Sequence, residues 1–464
     1  MGSDASHLRR RSLLAALPLL GGCGFNPFVP RERPELATPA AWRESPPAPG
    51  APAAPDWWQR FNSAELTQLV ETARAQNQDL AAAAQRIIAA DALVRVAGAP
   101  LFPSLNASAS GAVTERSRSG TQRSYEAGLA TRWEVDLWGK NRAARDAEGF
   151  RALADRFDRD ALLLGVETAV ADTYVILVAA RDRVRVAQDN LAAAERVLAL
   201  VAARVTNGAA SPLELAQQRT AVARERASLP PLDLAARQAE HALAVLLSRP
   251  PVTLSVPTRG LDALATPAVV AGLPSELLLR RPDLARAEAD LVAASADLMA
   301  ARKALYPSIE LTAFGGAGSS ILTSLVSGNW IGSLGAGLTA PIFEGGRLRG
   351  RITFSEARRN ELVANYRQAA FVAFAEVEDA LAAASARSAE LALQEQSVAS
   401  ARTAFALAEA QYREGAIDLL SLLVSQRAQF DAEDARLVAR RERLRAAIAL
   451  FRALGGGWQE TRPA

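Results

Sequence analysis

The residue types that most often carry chemistry are scarce in this chain. Its 464 residues include one cysteine, Cys23, and two histidines, His7 and His241. One cysteine excludes an intramolecular disulfide and a cysteine-rich zinc site, and two histidines leave little material for acid–base catalysis or metal binding. The glycine-rich run at residues 315–318 lacks the Lys-Ser/Thr pair that a phosphate-binding loop needs. We therefore do not expect a histidine-dependent enzyme, and we expect no cofactor and no bound metal ion.

The single cysteine lies behind a distinctive N-terminal segment. Three arginines at residues 9–11 precede an apolar run at residues 13–20, and Gly21 and Gly22 lead directly to Cys23. A basic segment, a short apolar segment and small residues before a cleavage point form the pattern of a secretory signal. The apolar run is too short to span a bilayer. The pattern therefore predicts a signal peptide at residues 1–22.

With Cys23 in the position after the cleavage point, this segment resembles a bacterial lipoprotein signal. The resemblance implies that Cys23 carries a diacylglycerol and an N-acyl chain, and Gly24 in second position implies sorting to the outer membrane. The alternative is an ordinary signal peptide with a chance cysteine. Gly2 also fits a myristoylation pattern, but the arginines and apolar run behind it disfavour that match. Residues 23–60 are proline-rich and predict an extended tether.

Charge and composition limit the kind of partner and core. The chain has 53 basic and 50 acidic residues, a formal net charge of +3, which argues against a dedicated nucleic-acid-binding protein. Half of the residues are hydrophobic but only 6% are aromatic. This composition favours thin, closely packed helices over a core filled by aromatic side chains.

Comparison of the chain with itself predicts an internal two-fold repeat. Residues 101–105 (LFPSL) match residues 305–309 (LYPSI) at an offset of 204, and Gly208-Ala209 matches Gly415-Ala416 at an offset of 207. We expect a first repeat at residues 61–247, a connecting segment at 248–280, a second repeat at 281–458 and a short tail at 459–464.

Each repeat contains one very long helix. Every seventh residue from Leu163 is apolar, and so is every seventh residue from Val363 in the second repeat. The first series is Val170, Leu177, Val184, Leu191, Leu198 and Val205, and the second is Ala370, Val377, Ala384, Leu391, Val398, Phe405 and Tyr412. This spacing is the seam of a coiled-coil-like helix. A helix from Lys140 to Val205 would be roughly 100 Å long.

A pair of strands precedes each long helix. Residues 311–343 contain no charged side chain, but their glycines and Ser/Thr residues argue against a transmembrane helix. Alternation predicts strands at residues 104–114, 124–137, 308–318 and 331–343. In the first, Leu105, Ala107, Ala109 and Val113 share one face. This weak alternation is typical of a transmembrane β-strand, and four strands cannot close a barrel without further copies of the chain.

Four motifs along the chain resemble an outer membrane efflux duct of the TolC/OprM type, in its lipoprotein (NodT-like) branch. They are Asp56-Trp57-Trp58 with Phe61, the LLRRPDL run at 278–284, Tyr306-Pro307-Ser308, and the ALGGGW run at 453–458. The resemblance implies a mainly α fold with a membrane β-barrel, in which four strands per protomer complete a twelve-stranded trimeric barrel above a long α-helical periplasmic barrel. It also implies a passive conduit for small molecules, without enzymatic activity, that docks a periplasmic adaptor and an inner-membrane RND transporter.

The same resemblance places two helix turns at the periplasmic tip. It implies that Gly208, Ser211, Gly415 and Asp418 contribute to adaptor docking, although the glycines are equally explained as simple turn residues. Tyr412, Leu420 and Arg427 are the expected constriction residues.

One position at this tip departs from the family pattern. Val424 replaces an acidic residue that ducts of this branch often carry, which puts cation binding there in doubt. Two alternative functions remain at this point: a coiled-coil lipoprotein stalk without a pore, and an exit duct for type I protein secretion.

Overall fold

The computed structural model describes residues 34–44, 51–116, 120–257, 259–325, 327 and 329–460. The predicted signal segment, Cys23 and residues 461–464 lie outside the described residues. The chain divides into two compact units. One holds residues 89–153 and 288–362, and the other holds residues 34–88, 154–287 and 363–460.

Long helices dominate the described part of the chain. The α-helices are α1 Ala64–Gln76, α2 Gln78–Gly98, α3 Lys140–Thr206, α4 Pro212–Leu246, α5 Pro274–Arg280, α6 Pro282–Lys303, α7 Arg347–Arg413 and α8 Leu419–Ala453. Helices α3 and α7 contain 67 residues each, and α4 and α8 contain 35 each. The predicted long helix at residues 140–205 is therefore confirmed to within one residue.

The seven-residue seam of α7 is partly buried at Val363 and buried from Ala370 onward. Every step from Ala370 to Tyr412 is less than 10% exposed. In α3 the buried positions shift along the helix: Val170 and Leu177 are buried, but further on Val197 and Val201 replace the predicted Leu198. An α-helix has 3.6 residues per turn, so a strict step of seven drifts by about 20° per heptad.

Composition alone would allow α3 to cross a membrane. One stretch of it has a mean hydropathy of 1.8, but half of that stretch is buried inside the protein. This is the behaviour of a core helix.

Six strands occur in the described residues, and four of them form one sheet. The strands are β1 Ala51–Pro52, β2 Ser104–Arg116, β3 Gly120–Val135, β4 Val269–Val270, β5 Ser308–Ser319 and β6 Asn329–Thr339. The antiparallel sheet has the order β2-β3-β5-β6, so β2 and β6 are its edges. The short β1 and β4 pair separately, in parallel.

The predicted bounds of two strands are wrong. The prediction placed β3 at residues 124–137 and β6 at residues 331–343, whereas they span Gly120–Val135 and Asn329–Thr339. After β3, the Asp136 carboxylate accepts hydrogen bonds from the backbone N–H groups of Asn141 and Arg142 and so starts α3. After β6, Pro341 has no N–H to donate to a neighbouring strand.

The core of the second unit begins with three aromatic residues, of which Trp57 and Trp58 lie within the segment predicted as an extended tether. Trp57, Trp58 and Phe61 are at most 1% exposed. The Trp57 ring stacks on Phe451 near the end of α8, with ring centroids 5.1 Å apart. These aromatic residues therefore join the start of the folded chain to its last helix.

Candidate functional site

The four-stranded sheet has one apolar face. The residues on that face follow from the strand register: Leu105, Ala107, Ala109, Gly111 and Val113 on β2; Tyr125, Ala127, Leu129, Thr131, Trp133 and Val135 on β3; Ile309, Leu311, Ala313, Gly315 and Ala317 on β5; Trp330, Gly332, Leu334, Ala336 and Leu338 on β6. The band ends at Glu115 and Arg123, beside the β2–β3 turn. Most of its large side chains are exposed, and Leu334 reaches 90%, whereas Tyr125, Trp133, Val135 and Ile309 are partly buried. The face predicted for the first strand is part of this band.

The opposite face of the sheet is polar. It carries Glu126, Arg132, Glu134 and Glu310 among serine, threonine, asparagine and glycine residues, with Ala112, Ala130, Phe314 and Ile331 as its apolar members. The Arg132 guanidinium Nε lies 2.6 Å from the Glu310 carboxylate, across β3 and β5. A sheet with one apolar and one charged face suits a boundary between lipid and water.

The two helix turns at the far ends of α3 and α7 have the same backbone geometry. Gly208 and Gly415 have φ angles of 72° and 80°, where a side chain is strained. In each turn the glycine N–H donates to the carbonyl three residues back, and the following alanine N–H donates to the carbonyl five residues back. These bonds satisfy carbonyl groups that a helix end leaves free.

Side-chain caps start the next helices. The Ser211 hydroxyl accepts from the Glu214 N–H at 3.2 Å, while the Glu214 carboxylate accepts from the Ser211 N–H at 2.7 Å. The Asp418 carboxylate accepts from the Ser421 N–H at 2.9 Å. Hydrogen bonding from Ser421 lowers the pKa of the Asp418 carboxyl below its ordinary value. Asp418 therefore remains a carboxylate at the start of α8, where a negative charge is favourable.

Arg204 brings the two turns together, and sequence analysis did not identify it. Its guanidinium donates hydrogen bonds to the carbonyl oxygens of Tyr412 and Ala209, one in each turn. The same group lies 4.5 Å from the centroid of the Tyr412 ring. An arginine in a helical sequence gives no sign of which carbonyl groups it will reach, so no local pattern could have revealed this role.

The predicted constriction residues lie in different environments. Tyr412 is 1% exposed and packs in a cluster with Val197, Val201 and Phe405. Its side chain could therefore affect a constriction only through the packing of the tip.

The other two constriction residues share a surface. Leu420, Val424 and Arg427 are exposed and follow one another at spacings of four and three residues, which place them on one side of α8. Arg427 pairs with Asp431 of the same helix, at 3.5 Å. The surface therefore starts with two apolar side chains and continues with an ion pair.

The remaining residues considered for catalysis or metal binding are a histidine on the surface and two glutamates in structural contacts. His241 is exposed on α4, and the part of the chain that the structure describes holds no cluster of His, Cys, Asp and Glu suited to a metal ion. Glu376 pairs with Arg281 at 2.6 Å, whereas Glu378 accepts the backbone N–H groups of Arg43 and Glu44.

Proteins of one known family resemble this chain over nearly its whole length. The model of the outer membrane efflux protein family matches residues 69–249 and 273–456. The pyoverdine export outer membrane protein OpmQ of Pseudomonas putida is 41% identical over 92% of this chain and 94% of its own length. OpmQ of Pseudomonas aeruginosa is 40% identical over 98% of both chains.

More distant similarity extends to other pumps and to solved structures. The toluene efflux pump outer membrane protein TtgC of Pseudomonas putida is 32% identical over 97% of this chain and 96% of its own. The solved structure of the outer-membrane channel OprN is 30% identical, with a TM-score of 0.85, over 92% of this chain and 99% of that one.

Proposed function

Because the chain belongs to the outer membrane efflux protein family, we propose that it forms the trimeric exit duct of a tripartite efflux pump. It is an outer membrane efflux channel, and its relatives are channels rather than enzymes. The observation that carries the proposal is the four-stranded sheet, with its apolar face, its polar face and its two unpaired edges.

The unpaired edges support closure by further copies of the chain. Strand β2 has 13 residues and β6 has 11, and neither has a partner on its outer side among the described residues. An open sheet edge cannot lie in lipid, because its N–H and C=O groups would have no partners. Three copies of four strands would pair each β2 with a neighbouring β6 and close a barrel of twelve strands.

Matching element lengths support the proposed duplication. Both halves run through a helix of 21 or 22 residues, a strand pair, a helix of 67 residues and a helix of 35. In this arrangement each chain would supply two helical hairpins to the periplasmic barrel.

Neighbouring residues of β6 provide a test of the barrel. Leu334 lies on the apolar face and Ser333 on the polar face. Arginine in place of Leu334 should cost about 2–4 kcal/mol at the bilayer midplane and reduce insertion, whereas Ser333→Arg should insert normally. The measurement is the amount of heat-modifiable trimer in outer membranes, and equal insertion of the two variants would contradict the proposed orientation.

We further propose that the two helix turns dock a periplasmic adaptor. An inner-membrane RND transporter would deliver the cargo to this assembly. Gly208, Ser211, Gly415 and Asp418 shape two backbone turns of the same form, and Arg204 holds them side by side. The matching geometry supports recognition of both turns by one kind of adaptor surface.

For the cargo, we propose a secreted metabolite of the pyoverdine kind. Identity is 40–41% with the pyoverdine export proteins but 31–33% with the toluene, solvent and antibiotic pump proteins. Deletion of the gene should reduce the extracellular amount of such a metabolite while leaving resistance to antibiotics, dyes, solvents and metals largely unchanged. A deletion strain that becomes drug-sensitive but secretes the metabolite normally would contradict the proposed cargo. A strain that stops secreting a protein would favour an exit duct for type I secretion.

A further inference from the structure

The two edge strands of the sheet carry exposed apolar side chains. Leu334 and Leu338 on β6 are exposed, and Ile342 just beyond this strand is 92% exposed. On the other edge, Leu105 and Val113 of β2 are also exposed. Each edge therefore offers both backbone hydrogen-bonding groups and apolar side chains to a further strand.

Two ladders of the sheet have the same register in the two halves of the chain. In the β2–β3 ladder Ser104 lies opposite Arg132, and its hydroxyl donates to the Arg132 carbonyl at 3.1 Å. In the β5–β6 ladder Ser308 lies opposite Thr339, and its hydroxyl donates to the Thr339 carbonyl at 3.4 Å. Strand β5 thus corresponds to β2 at an offset of 204, and β6 corresponds to β3 at an offset of 207. These are the two offsets of the sequence repeat.

The third ladder, between β3 and β5, joins the two halves and places Arg132 opposite Thr312. Because β6 corresponds to β3 and β2 to β5, the same offsets convert this ladder into one between β6 and β2. The converted ladder places Thr339 opposite Ser108. Within one chain β2 and β6 are separated by three strand spacings, roughly 14 Å, so such a ladder can form only between two copies.

The converted ladder keeps the apolar and polar faces of the sheet apart. Its apolar pairs are Leu334 with Val113, Leu338 with Ala109, and Ile342 with Leu105. A shift by one residue would bring the apolar face of one strand beside the polar face of the other. A shift by two would place Leu334 opposite Gly111 or Glu115. The side chains therefore favour the converted register over its neighbours.

The equivalent junction inside one chain is closed by an aromatic contact. The Trp138 ring stacks on Tyr306, with centroids 5.2 Å apart. At the same offsets, the positions that would meet between two copies are Gly345 and Phe102, so the indole has no counterpart there. The contact between copies therefore depends on the exposed side chain of Ile342 instead.

We propose that β6 of one copy and β2 of the next pair in this register, with Thr339 opposite Ser108 and Ile342 beside Leu105. The inference rests on the proposed trimer and the proposed duplication, and it specifies the residues at which the copies meet. Directly opposite apolar side chains stabilise a strand pair. Pro341 has no N–H, so Ile342 contributes its side chain rather than a longer ladder of hydrogen bonds.

The test is disulfide formation between copies of the full-length protein in outer membranes. The double variant Thr339→Cys with Ser108→Cys should give a covalent trimer after oxidation, because directly opposite Cβ atoms lie about 4.5–5.5 Å apart. This trimer should withstand boiling in SDS and return to monomer on reduction. A disulfide within one chain is excluded by the distance between the two edges.

The matched control pairs Thr339→Cys with Ser110→Cys, two residues further along the same face of β2. It should crosslink several-fold more slowly, because diagonal neighbours lie about 7–8 Å apart. The single-cysteine variants control for disulfides with Cys23, the only cysteine of the unmodified chain. Equal or faster crosslinking through Ser110→Cys, or an intact trimer that does not crosslink, would overturn the register but not the duct. Absence of a trimer in the unmodified protein would overturn the duct as well.

Discussion

A single buried carboxyl group on α3 stands out at the residue scale. Glu167 is 5% exposed, and its Oε1 lies 3.4 Å from Nε of Arg74. Burial raises the pKa of Glu167 to about 7, because loss of hydration outweighs the attraction of Arg74. The Arg74 guanidinium also lies over the Trp58 ring, at 5.2 Å.

This raised pKa predicts a pH dependence of stability. The folded protein binds a proton at Glu167 up to about pH 7, whereas a free glutamate, with an ordinary pKa of 4.5, releases it at lower pH. Stability should therefore fall as the pH rises through this window. Glu167→Gln should remove that loss and stabilise the protein by roughly 3 kcal/mol at pH 8, with little effect near pH 4.

The measurement is the unfolding temperature of the purified protein between pH 4 and pH 8. The control is Glu71→Gln on α1, where the side chain is exposed. Parallel pH curves for Glu167→Gln and the unmodified protein would contradict the prediction.

At the tip, Leu420 provides a second prediction at this scale. Leu420 is 63% exposed and shares one side of α8 with Val424. Apolar rings close a pore by excluding water, so Leu420→Ser should raise the conductance of reconstituted trimers. Leu213, equally exposed in the first turn of α4, supplies the control Leu213→Ser, which should leave conductance unchanged. A closed-state conductance that stays the same in Leu420→Ser would count against a constriction there.

Sequence analysis predicted the backbone turns and helix caps of the candidate site, because these features are local. A positive φ at Gly208 or Gly415 and a cap at Ser211 or Asp418 depend on the few residues beside them. Arg204 was missed because its partners are carbonyl groups in two turns, one of them 208 residues away.

At the scale of elements, one arginine explains the RRPDL motif. The Arg281 guanidinium binds Asp283 in the first turn of α6, Glu376 on α7 and the Ala453 carbonyl at the end of α8. Arg281 thereby connects the start of α6 with the middle of α7 and the end of α8. The sequence offered the motif but not these partners, which are up to 172 residues away.

Removal of this contact should weaken the packing of the three helices. Arg281→Ala should lower the free energy of unfolding by about 2 kcal/mol, because the side chain is nearly buried while both carboxylates are half exposed. Arg387→Ala on α7 is the control, since the Arg387–Glu390 pair is exposed and should contribute less than about 0.5 kcal/mol. Thermal unfolding of both variants checks the difference, and equal effects would refute it.

Element types were easier to predict than element ends. Seven-residue spacing is repeated many times along α3 and α7, so the signal is strong. A strand end depends on one residue. Asp136 ends β3 because it caps α3, and Pro341 lies beyond the end of β6 because it has no N–H for a strand hydrogen bond. Sequence alternation continues past both positions and so placed the ends too late.

For the whole molecule, Cys23 and the sheet predict different kinds of membrane attachment. Cys23→Ala should abolish incorporation of labelled palmitate. It should leave the protein in the membrane after alkaline carbonate extraction, because the sheet remains inserted. Release of the variant by carbonate would instead favour the stalk without a pore, and persistent labelling would exclude Cys23 as the acylated residue.

Helices α3 and α7 have equal lengths, and so do α4 and α8. These equal lengths restrict which insertions the helices can accept. One extra heptad in α3 and α4 alone would carry Gly208 about 10 Å beyond Gly415. Arg204 would then lose the Tyr412 carbonyl, and the two turns of the proposed docking surface would no longer lie at one level. Insertions that lengthen the helices must therefore come in matched pairs, in both halves of the gene.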